Sequence, residues 1–252
     1  MTRQHEALLG AAARPYFGIG TFAWQFGRNK LRFDPVYSRL LQHGYLPDRG
    51  TLVDLGCGRG LLLALLVAAR DQFGGGRWPP GWPPPPSKLL LHGIEIDPDR
   101  ASLAQRALVN QARVARHDIR NATLPPCSAI VLIDVLMYLE ESDQFRVLQK
   151  AAAALEPGGL LLVREADAGA GPAFLVTRWS ERLLEIMRGR LRNRLHYRSA
   201  IQWAGLIESL GFSVSVAPMS AGTPFANMLF VARKSPKPQE TIDEHGWNKS
   251  TK

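Results

Sequence analysis

Thr51-Leu-Val-Asp-Leu-Gly-Cys-Gly-Arg-Gly60 is the stretch on which the reading of this chain turns. Thr51 to Leu55 is a short apolar run with β-branched residues, the pattern of a buried strand. It passes through Gly56, Gly58 and Gly60 into Leu61-Leu-Leu-Ala-Leu-Leu-Val-Ala-Ala69, long enough for a helix. Alternate glycines at a strand-to-helix junction permit positive φ and remove Cβ atoms, so a ligand can lie against bare backbone. The helix start adds N–H groups that face the same space.

A dinucleotide fingerprint would read G-x-G-x-x-G, but Leu61 stands where its third glycine should be. The pattern is D-x-G-x-G-x-G. Val53-Asp-Leu-Gly-Cys-Gly-Arg-Gly60 resembles the first motif of the class I S-adenosylmethionine-dependent methyltransferases. The alternative for a lone glycine loop is a turn that only packs helix on strand, so the neighbouring segments must decide.

Those segments alternate. Leu89 to Ile96 reads as a second buried strand, and Pro98 opens a helix to about Ala112 with Asp97 as its cap. Val114 to His117, Ala129 to Asp134 and Leu160 to Glu165 are further strands, with a helix from Glu141 to Leu155 and a turn at Pro157-Gly-Gly159 before the last. Alternation of this kind predicts a parallel sheet covered on both faces. A long helical stretch follows from Pro172 to Leu195, then a helix from Ser199 to Leu210, and two closing strands at Phe212–Val216 and Met228–Arg233. The resemblance implies an α/β, Rossmann-like seven-stranded methyltransferase sheet with strand 7 antiparallel, helices on both faces and an N-terminal helical lid. Residues 1–48 are assigned to the lid and 49–235 to the methyltransferase domain, with a Pro/Gly-rich insertion at 74–87 and a mobile polar tail at 236–252.

The lid segment contains a helix from Pro35 to His43, capped by Asp34 and ended by Gly44. Ahead of it lie Tyr16, Phe17, Trp24 and Phe26, which suit either a lid over the site or core packing. The insertion, Gly74-Gly-Gly-Arg-Trp-Pro-Pro-Gly-Trp-Pro-Pro-Pro-Pro86, reads as a surface loop of polyproline character.

Acidic residues close the strands at the sheet edge where open α/β folds bind ligands. Glu95 ends the second strand, where a carboxylate can accept both ribose hydroxyls; Ile96 follows it. By the resemblance, Asp118 and Ile119 face the adenine edge, and Asp134 with Val135 sits beside the methyl-transfer site. Asp54, Gly56, Cys57, Gly58 and Gly60 complete the set that the resemblance assigns to S-adenosyl-L-methionine. As plain structure, Asp118 could be a turn former and Cys57 a small packing residue.

If the acceptor is a hydroxyl, its proton needs a base near neutrality. His196 and Tyr138 are the catalytic candidates, with His117 and Glu165 behind them. A metal-assisted mechanism would need oxygen ligands around Asp134, to which Glu165 and Asp167 could add; no Asp-Asn pair completes the set, so a metal-independent reaction is expected.

Ile133-Asp-Val-Leu-Met-Tyr138 lacks the (D/N)-P-P-(Y/F) motif of enzymes that methylate base amines, so nucleic acid is not the expected acceptor. Val135, Leu136 and Met137 suit an apolar or aromatic small molecule, with O- or C-methylation in secondary metabolism. An RNA methyltransferase and a non-catalytic methyltransferase-like partner subunit are the competing readings.

The 252 residues allow one good core, and the formal charge of +9 favours acidic partners. Arg178, Arg182, Arg188, Arg190, Arg192, Arg194 and Arg198 are either a solvated helix face or a dock for an acidic carrier protein or anionic lipid. Two cysteines, no signal-peptide pattern and no membrane-length apolar run point to a cytoplasmic protein without an integral span.

Overall fold

The computed structural model describes residues 1–187 and 194–235. Three helices come first: α1 Arg3–Ala13, α2 Thr21–Phe33 and α3 Pro35–Gln42. The strands are β1 Arg49–Leu55, β2 Lys88–Glu95, β3 Arg113–Arg116, β4 Cys127–Ile133, β5 Leu155–Ala166, β6 Phe212–Pro218 and β7 Asn227–Lys234. Between them run α4 Leu61–Gly74, α5 Pro98–Ala107, α6 Glu141–Ala154, α7 Pro172–Met187 and α8 Ala200–Glu208. One sheet results, in the order β3-β2-β1-β4-β5-β7-β6. β1 to β5 pair in parallel, and β7 runs antiparallel to both β5 and β6.

The central strands are apolar on both faces because helices cover both. Successive side chains point to opposite sides, so each strand feeds two separate cores. Leu52, Ala129, Val131, Leu160 and Leu162 pack with α1, α3 and α4. Val53, Ile130, Leu132, Leu161 and Val163 pack with α6 and α8.

The N-terminal helices pack on the sheet by one side only. Leu8, Ala12, Tyr16, Leu31 and Leu40 are fully or almost fully buried in the first core, whereas Phe22, Phe26 and Phe33 of α2 stay exposed. Asp34 caps α3 by accepting the Val36 N–H at 3.2 Å, as its place before Pro35 implies.

Some boundaries differ from the sequence expectation. α5 stops at Ala107 rather than Ala112, because Asn110 takes a left-handed φ of 62° and the chain turns there. The long helix does not reach Leu195: residues 194–197 are not helical. Arg198 returns to bridge Asp167, and the His196 N–H donates to the Met137 carbonyl at 2.8 Å, so the chain must leave the helix axis. β5 begins at Leu155, before the Pro157-Gly-Gly159 turn, which sits inside the strand as a bulge with Gly158 at a φ of 75°.

The insertion is anchored more closely than a free surface loop. Trp78 donates from Nε1 to the Pro83 carbonyl at 3.0 Å, and its ring meets Phe73 and Trp82 edge-on. Trp82 in turn meets His5 of α1, so the loop clasps the N-terminal helices. Tail residues 236–252 lie outside the described residues. No helix among the described residues is long and apolar enough to cross a membrane.

Candidate functional site

The glycine loop turns at the carboxyl edge of β1, beside the ends of β2 and β4. Gly56, Gly58 and Gly60 have φ of 76°, 57° and 76°, a region L side chains rarely enter. Their surroundings give them different work. A Cβ on Gly56 would stand 2.5 Å from Val135 Cγ2, and one on Gly60 would stand 2.7 Å from Leu108 Cδ1. Both are packing glycines. A Cβ on Gly58 would meet nothing within 4 Å, so that stretch of backbone faces open space.

Neighbouring strands hold the loop. The Gly56 and Cys57 N–H groups donate to the Ile94 carbonyl at 2.8 and 3.0 Å. The Glu95 carboxylate accepts the Gly58 N–H at 2.8 Å and the Asp97 N–H at 2.8 Å. From the other side, the Tyr16 hydroxyl donates to the Arg59 carbonyl at 2.8 Å. The Arg59 guanidinium lies 4.2 Å from the centre of the Phe26 ring and 5.4 Å from that of Phe22, which joins loop to α2.

Two cavities meet here. The larger, about 610 Å³, is lined by Asp54, Gly56, Cys57, Gly58 and Arg59, by Phe22 and Phe26, and by Tyr138 and Met187. The smaller, about 200 Å³, is lined by Phe33, Met137, Ala166, Thr177, Phe225 and Asn227 among others. Lys30, Asp134, Met137 and Glu181 border both.

A buried ionic network forms the shared wall. Arg164 of β5 donates to Asp34 through both terminal nitrogens, at 2.8 and 3.0 Å, and also pairs with Asp134. Lys30 reaches Asp34 at 2.7 Å and Asp134 at 4.0 Å. Burial alone would raise the Asp34 carboxyl, but Arg164 and Lys30 hold it below the usual carboxylate range. Asp134 itself takes a left-handed φ of 54°. The next residue of β5, Glu165, accepts the Val135 and Leu136 N–H groups at 3.1 and 2.7 Å. Burial, with Asp134 adding to it, raises that carboxyl to about 8.

Residues 25–215 match the methyltransferase domain family. The chain belongs to the class I S-adenosylmethionine-dependent methyltransferases. A carboxy-S-adenosyl-L-methionine synthase from Chromohalobacter salexigens is 30% identical over 131 residues, which are 50% of this chain and 43% of that protein. The match thus spans less than half of that relative's length. Among solved structures, an O-methyltransferase family protein from Burkholderia thailandensis superposes with a TM-score of 0.59 at 19% identity, covering 84% of this chain and 59% of that one. Magnesium protoporphyrin IX methyltransferase from Synechocystis PCC 6803 with bound SAH gives a TM-score of 0.56 at 19% identity, covering 88% and 92%.

Within the methyltransferase, Asp54, Gly56, Cys57, Gly58, Asp134 and Tyr138 line one cleft. Glu95 holds the loop by hydrogen bonds, and Gly60 and Val135 pack behind it. Cys57 is buried against Gly93, and burial raises its thiol well above the ordinary value. Ile96 is exposed beyond the strand end. Asp118 and Ile119 are not among the residues lining that cleft. Asp118 forms an ion pair with Arg120 at 2.6 Å, whose hydrogen bonds lower its carboxyl, and Ile119 is buried in the second core.

His196 lines neither cavity; its backbone anchors the chain to Met137 and to Gln144 Nε2. Tyr138 donates to Glu181 at 3.4 Å. Glu165 is taken up with the turn after β4, and His117 is exposed. No cluster of three or more His, Cys, Asp or Glu that could hold a metal occurs among the described residues. Of the arginine series, Arg198 is bound to Gln144 and Glu141, while Arg188, Arg190 and Arg192 lie outside the described residues. Sequence reasoning missed Lys30, Arg164 and Glu181 at the junction. Arg164 left a signal, since a charge in the apolar run Leu160-Leu-Leu-Val-Arg-Glu165 must find buried partners.

Asp54 supplies a pH test. Burial, with Glu95 adding to it, pushes its carboxyl up to about 7. A folded-state value above the unfolded one means that stability from this group is present at low pH. It declines as pH rises from about 4 to about 7. Asp54→Asn should flatten that decline in thermal unfolding of the ligand-free protein. A ligand cation placed against Asp54 needs its ionised form. Affinity for S-adenosyl-L-methionine should then weaken below about pH 7 in the wild type, by up to roughly tenfold per unit, and lose this dependence in the variant. Parallel wild-type and variant profiles would remove Asp54 from the site.

Proposed function

We propose that the protein transfers the methyl group of S-adenosyl-L-methionine to an apolar or aromatic small molecule by O- or C-methylation. The supporting observation is the junction of two cavities across Lys30, Asp134, Met137 and Glu181. One cavity has bare glycine backbone in its wall, and the other is mainly apolar.

The larger cavity suits the nucleoside. Gly58 leaves room for a ligand against the backbone and Asp54 suits a cationic methionine end, while Glu95, behind the cavity wall, holds the loop and is the carboxylate nearest the strand end where ribose hydroxyls would be accepted. When bound, the sulfonium supplies an activated methyl group. The chain's own contribution is position and exclusion of water, which can lower the barrier by several kcal/mol. Phe33, Met137 and Phe225 present apolar surface to an acceptor, and Thr177 and Asn227 can orient a polar substituent. For a hydroxyl acceptor, Glu181 is the carboxylate at the junction, and Tyr138 hydrogen-bonds to it. This favours the Glu181–Tyr138 pair over His196 as the route for the proton.

A second reading draws on the relatives named carboxy-S-adenosyl-L-methionine synthase, which would make the cofactor itself the molecule modified. Mass analysis of the nucleoside product separates the two. Incubation with S-adenosyl-L-methionine and aromatic or apolar hydroxyl compounds should yield S-adenosylhomocysteine and an acceptor heavier by one methylene. A nucleoside heavier than the starting sulfonium would favour the synthase reading. Absence of cofactor binding by calorimetry would favour a partner-subunit role.

A further inference from the structure

Both helices that flank the cavities turn large apolar side chains outward. On α7, Trp179 is 69% exposed, Leu183 57% and Met187 75%, and with Leu175 they are spaced four residues apart, one stripe on a helix. On α2, Phe22 and Phe33 are also more than two-thirds exposed. The two helices are joined around one opening. Phe22 and Phe26 share the larger cavity with Leu184 and Met187, and Phe33 shares the smaller with Thr177.

The charges at this rim are mostly basic, with Glu6 of α1 pairing with Arg32 at 3.7 Å. α2 carries Arg28, Lys30 and Arg32 and no acid. α7 carries Arg178 exposed and Arg182 half-buried, whereas its acids lie further in: Glu185 is fully buried and Glu181 borders the cavities. An apolar stripe centred on tryptophan and flanked mainly by basic groups is the composition of a helix that lies in a bilayer interface. A second copy of the chain fits this surface poorly, since a two-fold pairing would set the basic rims against each other.

We propose that α2 and α7 form an interfacial surface that seats the mouth of the cavities on a bilayer containing anionic lipid. The acceptor would then be an amphiphile that enters from the lipid phase. Bilayer binding is read without cofactor or acceptor, so its failure leaves the methyl-transfer reading untouched.

Co-sedimentation of the full chain with vesicles tests this. The protein should pellet with phosphatidylcholine vesicles that contain phosphatidylglycerol, and less with phosphatidylcholine alone. Trp179→Glu with Leu183→Glu should lower partitioning on the order of tenfold or more, and Arg28→Glu with Arg178→Glu by about as much. All four residues are exposed, so the fold should persist, as thermal unfolding would check. If the first pair fails to fold, the second carries the test. Wild-type protein that stays in the supernatant with both vesicle types would overturn the proposal. So would a folded Trp179/Leu183 variant that pellets as the wild type does, or a wild-type dimer in sedimentation velocity that this variant abolishes.

Discussion

Arg164→Met is expected to lower the unfolding free energy by about 3–5 kcal/mol, because it leaves two carboxylates to share the single partly exposed Lys30. For a chain of this size that is a fall of roughly 6–20 °C in Tm. Arg164 is almost wholly buried, and its partners come from the start of α3 and the end of β4. The loss should therefore loosen the N-terminal helices from the sheet as well as lower the midpoint. A companion variant decides the cause. Asp34→Asn in the Arg164→Met background should recover part of the loss, since it removes one of the two carboxylate charges. Asp34 is held below its ordinary range, so its contribution is present above about pH 4 and is lost as pH falls through the folded value. In Arg164→Met that acid sensitivity should shrink to the part that Lys30 and the Val36 N–H still supply. Equal stability of wild type and Arg164→Met at neutral pH would show that the network contributes nothing.

Glu95→Ala should weaken S-adenosyl-L-methionine binding on the order of 100-fold in calorimetry, about 2.7 kcal/mol. The change removes the charged acceptor of the Gly58 and Asp97 N–H groups, each bond being worth about 1.5–3 kcal/mol. It also removes any contact the carboxylate makes to bound nucleoside. Glu95→Gln keeps an acceptor oxygen and should lose less. A second readout is independent of contact with the ligand. The Glu95 charge helps to raise Asp54, so in Glu95→Ala the Asp54 carboxyl should move down toward its ordinary value. The pH below which cofactor affinity falls should move down with it. Unchanged affinity in Glu95→Ala would place the nucleoside elsewhere.

The sheet was legible in the sequence because its signals are local. Apolar runs of strand length, each ended by an acid or a glycine turn, locate β1, β2, β4 and the second half of β5. Asp34-Pro35 and Asp97-Pro98 mark helix starts by capping chemistry. The glycine loop was legible in its positions but not in the different work of its members. Gly56 and Gly60 are needed because Val135 and Leu108 crowd them, and those neighbours are far away in the chain. Pro157-Gly-Gly159 read as a turn because its residues are turn formers, and within β5 it forms a bulge: Gly158 takes a φ of 75°, and pairing with β4 skips from Leu155 to Leu160. The insertion read as loose because proline and glycine forbid regular structure, but the ring contacts of Trp78 and Trp82 anchor it.

By itself the sequence determined the strand and helix order, the turn between β1 and α4, and the row of acids at the strand ends. These follow from hydrophobic period and backbone preference over a few residues. Only the tertiary structure decided that Lys30, Asp34, Asp134 and Arg164 meet, that Glu181 borders both cavities, and that His196 stands apart from them. The partners of Arg164 lie 130 and 30 residues away, so no local pattern could name them. A buried charge announces that it needs a counterion; packing chooses which one.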